Sequence, residues 1–310
     1  MTRISTTGQN QFLLDDVFNL QKRIFDTTKQ ISSESKSDTY QGIGVQGVKA
    51  LSASKAVLAR AEQYLDINSD LKRTTEVQAL ALKNLAEVSS RLKTELITAS
   101  QPGGGVGLRD TIDALYLEAV EMLNIAQDGK FIFGGTRTDQ LPVTTSTPAA
   151  LEALGAGNHA QAFQNNSVKP QALVSDELTI TYGSLADEVA TNLFDLFQDL
   201  MIAATASAGK FRSPLTDAER TFVIGLLDEA ETAFDTINLV HAQHGVVQNL
   251  LEDSATRHAD EIMLARQFIG DIENIDVAEA ISNLNQDQVA LEASFRVFSQ
   301  LNSLSLINFI

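Results

Sequence analysis

The sequence predicts a mainly α-helical fold, an elongated antiparallel helical bundle or coiled-coil rod with a small β-containing central insertion. Apolar residues recur at alternating steps of three and four near both ends of the 310-residue chain. Residues 50–100 are rich in Ala, Leu, Lys and Glu and contain no Gly or Pro. Three of the five prolines lie within residues 131–185, where the helical pattern is lost. These observations place helices on both sides of one irregular segment.

Both ends of the chain predict coiled-coil helices. The N-terminal seam, which Phe18 and Phe25 widen on one side, consists of Leu13, Val17, Leu20, Ile24, Thr27 and Ile31. The C-terminal seam consists of Ile281, Leu284, Gln288, Leu291, Phe295 and Phe298. Because such seams are stable only when another helix covers them, the two end helices are expected to lie near each other.

The segments between the ends predict three further helices. The first covers residues 50–100 and stops at the Pro-Gly-Gly-Gly sequence of residues 102–105. The second is expected over residues 108–127, where Asp128-Gly129 ends it. The third begins after a cap at Thr216, which precedes an acidic first turn, and continues to Ile269.

The insertion predicts two short strands, at residues 168–174 and 177–183, because apolar and polar residues alternate there. We expect the helical segments before and after the insertion to pack against each other. The expected domains are a terminal coiled-coil inner layer of residues 1–40 and 276–310, a helical rod of residues 41–135 and 186–275, and an outer insertion of residues 136–185.

Composition excludes several classes of function. The formal net charge of −17 argues against nucleic acid as a partner, since phosphate binding depends on Lys and Arg. The chain contains no cysteine, which rules out disulfides, thiolate metal sites and cysteine nucleophiles. Its apolar stretches fall short of the ~20 residues that span a bilayer, so membrane insertion is not expected. The N-terminus lacks the apolar core of a cleaved secretory signal.

Two motifs could carry chemistry, and neither has the required context. Gly42-Ile-Gly-Val-Gln-Gly47 matches a dinucleotide-binding pattern, but a polar linker precedes it where a buried strand is needed. We expect a hinge or hairpin there. His241 and His244 lie one helical turn apart without a Glu-x-x-His motif, so we interpret them, with His258, as polar seam positions. We therefore expect no catalytic residue, no cofactor and no metal site.

The last thirteen residues, 298–310, include seven large apolar side chains and continue apolar to the carboxylate. Chain termini are usually polar, and exposed apolar surface is unfavourable by about 25 cal/mol per Å². Neighbouring copies of the chain would cover this surface in a polymer. The expected subunit-contact residues are Leu13, Val17, Leu20, Ile24, Ile31, Ile281, Leu284, Leu291, Phe295, Phe298, Leu301 and Leu304.

Several sequence blocks resemble the bacterial flagellin family, and more closely its hook-associated branch. At the N-terminus these are Arg3-Ile-Ser-Thr-Thr and Leu20-Gln-Lys-Arg. At the C-terminus they are Asp276-Val-Ala-Glu-Ala-Ile-Ser-Asn-Leu284 and Leu304-Ser-Leu-Ile-Asn-Phe-Ile310, and Phe131-Ile-Phe-Gly-Gly-Thr resembles a segment before the outer domain. Residues 33–42 depart from the Asp-Asp pattern of filament flagellins, which favours the hook-associated branch.

The resemblance implies a non-enzymatic structural subunit of the bacterial flagellum that joins hook to filament by polymerising through its terminal helices. It implies export by the flagellar type III apparatus without a cleaved signal, and an extracellular location. The implied partners are copies of the chain, other hook-associated protein and flagellin subunits, and an export chaperone on the C-terminal helix. The alternatives are a flagellin filament subunit, a soluble coiled-coil adaptor and, from the histidines, a helical-bundle metalloenzyme.

Overall fold

A computed structural model describes residues 6–37, 39–208 and 210–307 and confirms the mainly α-helical class with small β elements. Its helices and strands are α1 (Thr6–Ser33), α2 (Tyr40–Ala99), α3 (Leu108–Leu123), β1 (Ala126–Gln127), β2 (Lys130–Phe131), α4 (Pro148–Ala153), a 3-10 turn (His159–Ala162), β3 (Gln171–Ser175), β4 (Leu178–Thr181), α5 (Ala186–Ala206), α6 (Asp217–Gly225), α7 (Leu227–Glu273) and α8 (Val277–Ile307). Among the described helices, none is both long and apolar enough to cross a membrane.

The chain divides into two compact units. The terminal unit consists of Met1–Ala61 with Asp260–Ile310, and the central unit consists of Glu62–Ala259. The boundaries of the three domains expected from the sequence stay a prediction.

The central unit holds the main hydrophobic core, to which α3, α5 and parts of α2 and α7 contribute. At its middle, the Tyr116 ring meets Phe194 and Phe197 edge-on at centroid distances of 5.3 and 5.6 Å. The Tyr116 hydroxyl donates to the Thr145 carbonyl oxygen at 2.5 Å, and burial raises the pKa of this phenol to about 12. The insertion is therefore attached to the helices through a buried hydrogen bond as well as through apolar packing.

Both predicted strands are present in shorter form, as β3 and β4. They form an antiparallel hairpin in which Ala172 pairs with Ile180 and Gln171 with Thr181. Val174 and Ile180 point into a second, smaller core with Leu71 and Leu251. The alternation seen in the sequence thus reflects one buried face and one exposed face.

The helix expected over residues 108–127 ends earlier, at Leu123. The Asn124 side chain forms two 2.9 Å hydrogen bonds with the backbone of Val143, to its carbonyl oxygen and from its N–H. Asp128 and Gly129 do not stop a helix. They are the positive-φ residues between β1 and β2, at 50° and 75°, as a tight hairpin turn requires.

Two other expectations need correction. The helix expected from Thr216 to Ile269 is divided into α6 and α7 at Leu226, although Thr216 does form a capping box with Glu219. The segment Gly42–Gly47 lies at the start of α2 and forms no hairpin, but the helix is kinked there at Gly44, whose φ is 77° and ψ 159°, in agreement with the expected hinge. The chain instead turns between α1 and α2 at Glu34, which adopts a φ of 53°.

Two histidines of α7, His244 and His258, form backbone hydrogen bonds within the central unit. His244 is buried, and its Nε2 donates to the Thr75 carbonyl oxygen at 2.7 Å. His258 Nε2 donates to the Val174 carbonyl oxygen at 2.7 Å, while its ring stacks on Tyr64 at 5.3 Å. Among the described residues, no group of His, Asp and Glu is arranged to hold a metal ion. These contacts set the register of α7 against α2 and β3, as expected of polar seam positions.

A close backbone approach requires glycine at position 135. Gly135 has a φ of 68°, and a Cβ there would lie 2.8 Å from the carbonyl oxygens of Asn166 and Val168. Gly129 has a similar φ of 75°, but a Cβ at that position would meet no atom within 4 Å. Substituting the two glycines in turn therefore separates the cost of backbone strain from the cost of steric overlap.

Gly135→Ala is expected to lower the free energy of unfolding by about 3 kcal/mol, because the insertion backbone must shift to accommodate the methyl group. Gly129→Ala, the matched control, should cost only about 1 kcal/mol, the strain of a left-handed alanine. Urea unfolding measures both values. Equal losses of unfolding free energy in the two variants would show that residues 166–168 move aside freely.

Burial lowers the pKa of His244 below its ordinary value of 6.5, since a charged imidazole would lose its hydration there. Its neutral form therefore contributes stability above pH 6.5 that is lost as the pH falls through the lowered pKa. His244→Gln should reduce this acid-induced loss, by at most about 1.4 kcal/mol per pH unit, the slope for one proton. Urea unfolding of the wild type and of the variant across this pH range measures the difference, and equal acid-induced losses would contradict the prediction.

Candidate subunit interface

The terminal helices α1 and α8 form an antiparallel pair within the terminal unit. Asp276 caps the start of α8, because its Oδ1 accepts from the N–H groups of Ala278 and Glu279 at 2.9 and 3.1 Å. The turns at the same end of the pair are joined by backbone bonds, from Lys36 N to Glu273 O at 2.7 Å and from Ile275 N to Glu34 O at 3.2 Å. These bonds set the register of the two helices.

The predicted seams meet between these helices, but they are incompletely covered. Among the described side chains of α1, Val17 alone is buried, at 9% exposed, and in α8 through Gln300 only the small Ala280 is buried. The half-buried predicted contact residues are Leu13, Leu20, Ile24, Ile31, Leu284, Leu291 and Phe298. The side chains of Leu301 and Leu304 lie outside the described residues. One helix therefore covers only part of the apolar surface of the other.

Two predicted members of the C-terminal seam are exposed, namely Ile281 at 45% and Phe295 at 50%. The side of α8 that faces α1 carries Ala280, Leu284, Leu291 and Phe298. Since one residue rotates the side-chain direction by about 100°, Ile281 and Phe295 fall on the flank of the pair.

The exposed apolar surface continues on α1. Phe18 and Phe25, which widen the predicted seam, are 65% and 68% exposed and lie seven residues apart on one face. Phe12 and Val289 are equally exposed, and the sequence patterns did not predict them. Phe12 lies beside the α1 seam, which was the available signal, whereas Val289 lies about 200° from Leu291, on the far side of α8 from its seam. We name the set Phe12, Phe18, Phe25, Ile281 and Phe295 the terminal apolar surface.

The central unit provides the contrast. Both hydrophobic clusters of the described residues lie entirely within it, and the terminal unit contributes to neither. Four large aromatic or aliphatic side chains on α1, including Leu14, are exposed within fourteen residues of each other. Such a concentration on a small helical pair is typical of a protein–protein interface.

Charged groups beside this surface are paired locally. Arg23 of α1 forms an ion pair with Asp287 of α8. Lys55 Nζ lies 2.6 Å from Glu273 Oε1, and this hydrogen bond is the main cause that raises the pKa of Lys55. Exposed pairs of this kind contribute little stability, so they orient the helices and leave the apolar area as the main source of binding energy.

Comparison with known proteins agrees with this arrangement. Residues 227–310 match the family model of the bacterial flagellin C-terminal helical region. The chain is 24% identical over 278 residues to flagellar hook-associated protein 3 of Escherichia coli (strain K12), a match that covers 83% of this chain and 85% of that protein.

Two solved structures share the fold. A flagellar hook-associated protein from Vibrio parahaemolyticus matches with a TM-score of 0.58 and 17% identity, over 74% of this chain and 98% of that chain. Bacillus cereus FlgL matches with a TM-score of 0.51 and 16% identity, over 66% and 98% respectively. The C-terminal helical region at residues 227–310 and the hook-associated relatives thus confirm the resemblance to bacterial flagellins that the terminal blocks predict.

Proposed function

We propose that this chain is a non-enzymatic structural subunit that joins the flagellar hook to the filament, and that it polymerises through α1 and α8. The observation that carries the proposal is the terminal apolar surface, which one antiparallel helix pair leaves uncovered while both hydrophobic clusters of the described residues lie in the central unit. The similarity to hook-associated protein 3 supports the position at the junction.

In an assembly, neighbouring copies would cover the terminal apolar surface. Each Å² of apolar surface removed from water contributes about 25 cal/mol, so helices from neighbouring copies would gain stability by packing on Phe18, Phe25 and Phe295. Repetition of one such contact generates a ring or a filament. The proposed contact residues also include the seam positions, together with Leu301 and Leu304 in the last turns of α8.

The proposed partners follow from this surface. Copies of the chain, other hook-associated proteins and flagellin subunits would bury it in the assembled flagellum. Before export, a chaperone bound to the C-terminal helix would cover the same residues and prevent premature association. The chain would leave the cell through the flagellar export apparatus without a cleaved signal and reside outside it.

A non-enzymatic role is supported by what the buried polar groups do. His244 and His258 bind backbone carbonyls between packed elements, and Arg109 uses its guanidinium to hold Asp113, Glu152 and the Met201 carbonyl together. Each of these groups is engaged in packing.

A filament subunit is the second candidate, favoured by the match to the flagellin C-terminal helical region. Such a subunit would use the same terminal helices, so the interface itself does not separate the two functions. The two functions are distinguished by the position of the subunit on the flagellum.

Fluorescence labelling should locate the protein at the far end of the hook. The chain has no cysteine, so Ser167→Cys, at an exposed loop position, provides a single site for a maleimide dye. A single band between hook and filament is the expected result. Labelling along the filament would identify a filament subunit instead, and an unlabelled flagellum with a small cytoplasmic oligomer would favour the coiled-coil adaptor.

Phe18→Ala combined with Phe295→Ala should abolish incorporation at the junction while changing the melting of the isolated chain little, because both side chains are already half or more exposed there. Phe222→Ala, on α6 of the central unit, is the matched control and should still incorporate. Sedimentation of assembled material and thermal melting are measured for each variant. A large loss of monomer stability in the double variant would place these residues in a self-contained core.

A further inference from the structure

The exposed phenylalanines of α1 divide unequally between the two sides of the terminal helix pair. Val17, the buried residue of α1, marks the direction in which α8 lies. At about 100° per residue, Phe18 and Phe25 are rotated from Val17 by about +100° and +80°. Arg23 and Phe12 are rotated the other way, by about 120° and 140°. Two of the three phenylalanines therefore lie on the side of the pair opposite Arg23.

The exposed apolar residues of α8 lie on the same side as these two phenylalanines. Ala280, which is buried, marks the direction of α1, and Ile281 and Phe295 are rotated from it by about +100° and +60°. In an antiparallel pair of right-handed helices, rotations of the same sign point to the same side. Asp287 is rotated by about −20°, towards the other side, as its ion pair with α1 requires. We name the set Phe18, Phe25, Ile281 and Phe295 the apolar side of the pair.

Two opposite charges accompany the apolar side, one on each helix. Glu292 is exposed and is rotated from Ala280 by about +120°, so it lies at the α8 edge of this side. Lys22 is exposed as well and lies between Phe18 and Phe25 along α1. It is rotated from Val17 by about +140° and thus points away from α8 of its own chain. Among the described residues, no ion pair includes Lys22 or Glu292.

A second copy of α1 fits both the apolar side and its charge. If it lies on the apolar side parallel to the first α1, its phenylalanines would pack on Ile281 and Phe295. Its Lys22, rotated about 40° from its Phe18, would then point towards α8 and Glu292. In the antiparallel orientation the same lysine would point towards Lys22 of the first copy. Charge complementarity therefore favours the parallel orientation.

The parallel orientation also agrees with a contact that repeats. Two identical surfaces that meet across a two-fold axis give a closed dimer, whereas two different surfaces give a ring or a filament. Here the outer face of α1 meets a surface to which α8 contributes, so each copy offers one surface of each kind. The contact leaves the side of Arg23 and Asp287 unused.

We propose that the apolar side of the terminal pair receives α1 of a second copy in parallel orientation, with Lys22 of the incoming helix paired with Glu292. This inference rests on the proposed function, because it names the partner of the terminal apolar surface. The phenylalanines supply most of the binding energy, and the charge pair sets the orientation.

The test is charge reversal, with incorporation measured as the fraction of flagella that carry a dye band on the Ser167→Cys background. Lys22→Glu and Glu292→Lys should each lower incorporation about tenfold, because an attraction at every contact becomes a repulsion. The double variant should return to within about twofold of the wild type. Cells that produce both single variants should also recover the band, because each variant supplies the charge that the other requires at alternate contacts.

Asp16→Lys is the matched control. Asp16 is exposed, makes the same change of charge as Glu292→Lys, and lies on the side of Arg23, about 100° from Val17. It should incorporate like the wild type. Thermal melting of the isolated chain should be unchanged in every variant, because all three positions are exposed.

The outcomes separate this inference from the proposed function. If the wild type forms the band but neither the double variant nor the mixture recovers it, the partner at the apolar side is a different subunit and the inference is wrong. An Asp16→Lys variant as defective as Glu292→Lys would also overturn it, since overall charge would then explain both losses. A wild type that never forms the band contradicts the proposed function and the inference together.

Discussion

Incomplete burial of the terminal helices is the constraint on which the rest of this structure depends. An amphipathic helix gains most of its stability from packing its apolar face, and α1 and α8 each have one partner helix for a surface wider than one helix can cover. Phe18, Phe25 and Phe295 lie on the uncovered part. In the proposed function, the full stability of this pair depends on further chains, which is the physical condition for polymerisation. A complete core at this position would remove the driving force for assembly.

The central unit differs, since both hydrophobic clusters of the described residues lie within it. Its core combines the Tyr116, Phe194 and Phe197 rings with polar bonds that allow one register, from His244 to Thr75 and from His258 to Val174. Apolar packing alone permits neighbouring helices to slide, because many registers bury similar area, whereas a buried donor left without its acceptor is costly. The polar contacts of the central unit therefore specify a single arrangement. In the proposed function this division is useful, because the central unit keeps its shape while the incompletely covered terminal unit makes the contacts between copies.

The insertion illustrates how a small non-helical segment is held on a helical framework. Its connection to the helices runs through Tyr116 to Thr145, Asn124 to Val143 and the close backbone approach at Gly135. These contacts are not part of a helix or sheet hydrogen-bond ladder. They therefore allow a hairpin and several loops to pack on the helices without a large sheet. The same irregular packing leaves the small cavity at Gln78, since loops rarely fill space as completely as interdigitated helices do.

The sequence by itself determined the helices at both ends, most of α2, α3 and α7, the cap at Thr216, the strand pair of the insertion and the apolar character of both ends. It did not predict α5 or the β1–β2 hairpin as separate elements. The predicted features depend on residues three to five positions apart, and such local patterns are legible without the rest of the chain. Only the tertiary structure decided that α3 ends at Leu123, that a break separates α6 from α7, and that Ile281 and Phe295 lie outside the seam while Ala280 lies within it. Those outcomes depend on distant partners such as Val143 and on the rotation of one helix against another. A shift of one residue changes the buried face by about 100°, and the seam pattern of a single helix does not record that angle.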